Sequence, residues 1–174
     1  MNTSDPVTLR EITFETVRSI VSLTVKDKQQ SYVASNAVSI AEAHFNPGAW
    51  FRAIYANETP VGFVMLFDPS VSGALARGPV ASDEVALWRL MIDHNYQRMG
   101  YGKEALDLVC THVRKIGNAQ KLLSSYVAGS DGPEGFYLGY GFRKTGRFRS
   151  NGQEVEILLP LFIASQTLPP TSSS

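Results

Sequence analysis

Two glycines separated by one residue stand between an apolar run and an amphipathic one. Leu87-Trp88-Arg89-Leu90-Met91-Ile92-Asp93 leads through His94-Asn95-Tyr96-Gln97-Arg98-Met99 into Gly100-Tyr101-Gly102-Lys103. Without a Cβ, glycines let the backbone turn so tightly that successive N–H groups at the start of a helix converge on an anion. A phosphate cradle is therefore the chemistry this turn could do. The same pair would also serve a plain strand-to-helix turn with no ligand, and its spacing matches neither a Walker loop nor a dinucleotide fingerprint.

Further along, Phe136-Tyr137-Leu138-Gly139-Tyr140-Gly141-Phe142 sets an aromatic pair before a glycine. The Tyr137 hydroxyl could donate a proton, or lie at the surface while the ring joins the core. Asp83 and Glu84 precede the apolar run and Glu42 lies well upstream. Each could accept a proton directly or through water, and each could equally be a solvated surface carboxylate. His44, His94 and His112 are not spaced as metal ligands. Cys110 falls on the apolar side of the helix after the glycines, which suits a buried thiol better than a nucleophile. Arg89, inside an apolar strand, requires a partner if buried. Trp50 and Trp88 suit either the core or a pocket in which a cation meets aromatic faces.

Gln97-Arg98-Met99-Gly100-Tyr101-Gly102 matches the Gln/Arg-x-x-Gly-x-Gly/Ala signature of the GNAT-type N-acetyltransferases, and the segment Phe136 to Phe142 resembles their second signature. Val33 to Ala37, Arg52 to Tyr55, Pro60 to Val64, Leu87 to Asp93 and Ser125 to Val127 extend the likeness. From residue 8 to 161 the chain resembles the bacterial GNAT branch labelled spermine/spermidine acetyltransferases. That resemblance implies acetyl-CoA as the donor. Backbone amides of Arg98, Met99, Gly100, Tyr101, Gly102 and Lys103, in the loop that Gln97 opens, would hold its pyrophosphate. Met91 and Ile92 would offer main-chain groups to the pantetheine arm and polarise the thioester carbonyl. Tyr137 would be the general acid, ionising near the ordinary tyrosine value of about 10. The resemblance names no base, which stays open among Asp83, Glu84 and Glu42, with Glu84 taken as the catalytic candidate. Two departures stand out. Arg98 occupies a position where glycine is frequent, and Met99 one where Lys or Arg is common, so Arg98 would supply the phosphate contact that Met99 cannot. The implied acceptor is a primary amine, a polyamine first. An aminoglycoside or amino acid derivative is the alternative, and so is an acyl-CoA sensor without turnover, although a pure binder has no need of Tyr137.

These residues need elements to position them. The pattern predicts a helix over 14–25 with Thr13 as its cap, and another from Val38 to His44. A hairpin of Trp50–Ala56 and Val61–Phe67 around Asn57-Glu58-Thr59-Pro60 comes next, then a strand from Glu84 to Asp93. Leu106, Val109, Cys110 and Val113 mark the buried face of the helix after the glycines. A strand at Leu122–Val127, a short helix at Glu134–Tyr140 and a closing pair, Phe142–Phe148 with Glu154–Leu161 around Ser150-Asn151-Gly152, complete the order. The class is α/β. The resemblance implies a single GNAT-type domain whose twisted, mixed, mostly antiparallel sheet is flanked by helices and split near the end of Leu87–Asp93.

A chain of 174 residues suits one domain, here residues 9–163, with a loosely docked segment at 1–8 and a flexible tail at 164–174. A hydrophobic content of 44% with only 18% charged residues excludes wholesale disorder. Sixteen basic and sixteen acidic side chains cancel, so nucleic acid and anionic membranes are not expected partners. The split is uneven, with seven basic and ten acidic residues up to position 94 and nine basic and six acidic after it. A single cysteine makes no internal disulfide and no apolar run approaches a membrane span, so a cytoplasmic protein is expected. No metal is expected, and the resemblance adds a homodimer.

Overall fold

The computed structural model of the chain describes residues 6–76 and 78–161; the expected tail at 164–174 lies outside them. Seven strands form one sheet: β1 (Val7–Arg10), β2 (Ala49–Ala56), β3 (Thr59–Phe67), β4 (Glu84–Ile92), β5 (Lys121–Val127), β6 (Arg143–Arg149) and β7 (Glu154–Pro160). Their spatial order is β1-β2-β3-β4-β5-β7-β6. The β4–β5 pair is parallel and the others are antiparallel. Among the described residues four α-helices accompany the sheet: α1 (Val17–Val21), α2 (Asn36–His44), α3 (Tyr101–Val113) and α4 (Glu134–Tyr140).

Period-two alternation in the first strands feeds two cores, one on each sheet face. Ile54, Val64 and Leu66 meet Leu106, Val109 and Val113 of α3. Ala53, Tyr55, Phe63, Met65 and Met91 meet Ile20 of α1 and Ala43 of α2 on the other side. Removing each large α3 side chain from water contributes about 1.5–3 kcal/mol, which holds the helix behind the glycine turn. Buried Asn36 locks α2 in place, its amide donating to the Ile20 carbonyl at 2.9 Å.

The N-terminal expectations need correction. Val7 and Thr8 are not loosely docked, because they pair with Ala56 and Tyr55 as part of an edge strand. The helix expected over 14–25 shrinks to five residues, and Phe14 is 90% exposed in the turn before it. Thr13 closes that turn with its own hydroxyl on Glu15 and its carbonyl on the Val17 amide. Such local bonds compete with helix formation. The hairpin turn is also tighter than expected: Thr59 and Pro60 already pair with Ala56 and Tyr55, leaving Asn57 (φ +50°) and Glu58 as the loop.

Candidate active site

Strands β4 and β5 are paired only at Glu84–Ala86 against Lys121–Leu123. From Leu87 onward they diverge, so the split begins at the start of the Leu87–Asp93 run and not near its end. Two local features force the divergence. Met65 opposes Arg89 while Leu66 opposes Leu87, which makes Trp88 the extra residue of a bulge in β4. A bulge kinks its strand and re-aims the residues beyond it. The second feature is Ser124, whose hydroxyl donates to the Leu87 carbonyl at 3.0 Å. A side chain thus takes the acceptor that the next rung of the ladder would have used.

The opening is the mouth of a cavity of about 910 Å³. Met91, Ile92, Gln97, Arg98, Gly100, Gly102, Lys103 and Tyr137 all line it. The glycine turn has the shape of an anion nest. Arg98 lies at φ +67° and Gly100 at φ +91°, both in the left-handed region, and α3 starts at the next residue. Among the described residues, the amides of Arg98, Met99, Gly100, Tyr101 and Gly102 have no protein acceptor, whereas the Lys103 amide donates to the Gly100 carbonyl at 3.0 Å. Lys103 therefore offers the turn no free amide. The positive φ at Arg98 is the physical reason a glycine suits this position. Arg98 keeps the glycine-like backbone and adds a cation at the cavity wall. Gly102 has a different constraint, since a Cβ there would stand 3.3 Å from the Phe136 ring and 3.6 Å from Ile92. Met99 and Tyr101 do not line the cavity; Met99 is exposed and Tyr101 packs toward α3's core. Gln97 fixes the loop by donating to the carbonyl of Ile92 at 3.1 Å and to the Gln29 side chain at 2.8 Å.

Tyr137 sits at the inner end of the split, 6% exposed, with its ring edge-on to Phe136 and Phe142. Burial pushes its phenol up to about 12, against a smaller downward pull from Ser124 beside it. The ordinary tyrosine value therefore does not apply. Phe136, beside Tyr137, is 38% exposed and lines the cavity.

The structure does not bring Glu84 to this site. It lies where β4 and β5 are still paired, is buried, and its carboxylate accepts from the Ala81 amide at 3.0 Å. Asp83 is bound to Lys121 at 2.8 Å, and Glu42 lies 3.5 Å from Arg89. None of the three lines the cavity. The bulge explains Arg89, which it turns toward α2 and Glu42. His112 stacks on Trp50 at 4.1 Å and burial pushes its imidazole down. Trp88 lines the cavity and stacks on Phe67 at 4.7 Å. Cys110 is buried, and burial pushes its thiol up.

Sequence reasoning missed Ser124, Ser125, Ser150 and Glu154, all at the cavity wall. No motif marks them, because strand divergence and the β7 register bring them there. Among the described residues no group of His, Cys, Asp or Glu could hold a metal ion, and no helix is long and apolar enough to cross a membrane.

Comparison with known proteins agrees with this geometry. The chain is 26% identical over 157 residues to the spermine/spermidine N(1)-acetyltransferase of Bacillus subtilis (strain 168), covering 87% of this chain and 97% of that one. It shares its fold with the PaiA N-acetyltransferase of Thermoplasma acidophilum, solved with coenzyme A, at a TM-score of 0.63 and 16% identity over 89% of this chain and 99% of that one. Aminoglycoside acetyltransferase AAC(6')-Ib, also solved with coenzyme A, gives 0.70 and 13% over 89% and 95%. The model of the Acetyltransferase (GNAT) family matches residues 15–142, from the approach to α1 through to Phe142. The chain accordingly belongs to that family and is an acetyl-CoA-dependent N-acetyltransferase.

Proposed function

We propose that the enzyme moves the acetyl group of acetyl-CoA to a primary amine of a polyamine. The observation that carries the reading is the split between β4 and β5, with a nest of free amides at its outer end and the Tyr137 hydroxyl at its inner end. In this reading the pyrophosphate lies on the amides from Arg98 to Gly102, with Arg98 and the Lys103 side chain supplying positive charge. The pantetheine arm runs along Met91 and Ile92, where β4 is paired with β3 but open on its β5 side. The thioester then reaches Tyr137.

The neutral amine attacks the carbonyl carbon, the C–S bond breaks, and the thiolate takes up a proton. A phenol at about 12 is a weaker acid than a thiol, so full proton transfer from Tyr137 to the departing thiolate is uphill. Tyr137 therefore works as a hydrogen-bond donor to the charge developing on sulfur. A proton passed to sulfur is recovered at once from the attacking nitrogen, so the amine is its net source. The polyamine preference rests on the named Bacillus relative and on a carboxylate in the cavity wall. A cytoplasmic place of action and a homodimer complete the proposal, and light scattering reads the second.

Thiol release from acetyl-CoA tests the reading across spermine, spermidine, an aminoglycoside and an amino acid amide. The highest kcat/KM is expected with a polyamine. Turnover confined to the aminoglycoside or the amino acid amide would overturn the polyamine assignment and leave acetyl transfer standing.

A further inference from the structure

Four charged residues outside the glycine turn line the cavity: Arg89, Arg149, Asp131 and Glu154. Both arginines are engaged by groups of the protein. Arg89 lies 3.5 Å from Glu42 and donates to the Trp88 carbonyl at 2.8 Å. Arg149 pairs with Glu156 at 2.8 Å and donates to the Pro79 carbonyl. Asp131 is exposed on the loop after β5. Glu154 differs from all of these, being half-buried and held by two neutral hydroxyls, Ser150 at 2.9 Å and Ser125. Among the described residues it has no lysine or arginine partner. Hydroxyl donors fix a carboxylate without cancelling its charge. The turn supports this geometry: Ser150 and Asn151 both adopt positive φ, which brings the Ser150 hydroxyl back onto the first residue of β7.

The strand sets its position relative to Tyr137. Ser124 lies beside Tyr137, and Ser125, the next residue of β5, holds Glu154. Successive strand side chains point to opposite faces. Phenol and carboxylate therefore flank β5 from its two sides, one residue apart in register.

We infer that Glu154 is the anionic anchor for a cationic acceptor and binds the ammonium group that does not react. The inference rests on the amine-acetylating reading above. The choice between the two nitrogens of a diamine is chemical. A carboxylate beside an ammonium favours the charged form and so suppresses nucleophilicity. The attacking nitrogen must be neutral, whereas the distant one gains from staying charged. An acceptor with two amines separated by a short methylene chain fits this arrangement, and a simple alkylamine forgoes the anchor.

The test compares 1,4-diaminobutane with butylamine as acceptors at saturating acetyl-CoA. The parent enzyme should prefer the diamine, and Glu154→Gln should lower kcat/KM for the diamine at least tenfold while leaving that for butylamine within about twofold. The affinity for acetyl-CoA should not change, which reports a folded variant. Glu154→Asp keeps the charge on a shorter arm and should retain part of the preference, so the test survives if the Gln variant fails to fold. Asp131→Asn should leave the preference intact. An unchanged diamine-to-butylamine ratio in Glu154→Gln overturns the anchor and leaves acetyl transfer untouched. A parent enzyme that acetylates neither amine nor any polyamine overturns the polyamine reading and the anchor together.

Discussion

At Tyr137 the environment decides how the residue can act. The phenol works only while protonated, and burial has moved its ionisation up to about 12. Its donor role should persist through pH 10 and fade toward 12. A parent rate that falls with an apparent pKa near 10, with chemistry rate-limiting, would contradict this assignment. Tyr137→Phe keeps the ring against Phe136 and Phe142, so acetyl-CoA affinity should hold while kcat falls about tenfold or more, the loss of one hydrogen bond to a charged group, about 1.5–3 kcal/mol. Gly102 is limited by contact and not by backbone, since a new side chain must displace the Phe136 ring. Gly102→Val should raise the acetyl-CoA dissociation constant at least tenfold, about 1.4 kcal/mol, as calorimetry would show. Both residues were legible in the sequence, because a glycine pair and an aromatic pair sit beside elements with clear periodicity. Glu154 was not. A carboxylate in a strand carries no mark of what its register neighbours will be, and the same silence made Glu84, next to the right strand, look better placed than it is.

Among the elements, α3 was readable from the helical spacing of its apolar face and the β2–β3 hairpin from a turn between two β-rich runs. The strand divergence, expected from the resemblance, was not readable from apolar spacing, since it depends on the extra residue of a bulge, Trp88, and on one hydroxyl, Ser124. Neither alters the apolar pattern. β1 was equally silent: four residues, none of them fully buried, gain their order from the partner strand. Ser124 offers the sharpest test of how the opening is held. Ser124→Ala removes the hydroxyl that satisfies the buried Leu87 carbonyl and stands beside Tyr137. It should cost about 1–3 kcal/mol in urea unfolding and lower kcat with it. Loss of kcat without loss of stability would mean that the hydroxyl orients Tyr137 alone.

For the whole molecule, the sheet consists of an antiparallel block β1–β4 and an antiparallel block β5-β7-β6, joined in hydrogen bonding by three residue pairs. The second block is tied inside by Glu156, 4% exposed, which receives Arg147 at 2.6 Å and Arg149 at 2.8 Å. Burial alone would raise its carboxyl, but Arg147, Thr145 and Arg149 together hold it below the usual carboxylate range. A lowered folded value contributes stability that is present above the ordinary carboxylate pKa and lost as pH falls through the lowered one. Glu156→Gln leaves two guanidinium groups short of a partner. It should cost about 3 kcal/mol, the low end for a broken buried pair because Arg147 is largely in solvent, and thermal melts at pH 7 and pH 3 should differ less than in the parent. The narrow seam between the blocks carries a wider consequence. Past Ala86, the inward edges of β4 and β5 are ladder rims with no strand between them to zip to, so in the proposed binding mode the donor's amide-bearing arm would act as a prosthetic eighth strand. Along 88–92 and 125–127 the amides that face the gap, and not those bonded to β3 and β7, should exchange fast in the bare protein and slow when coenzyme A is added, stiffening both blocks into one body.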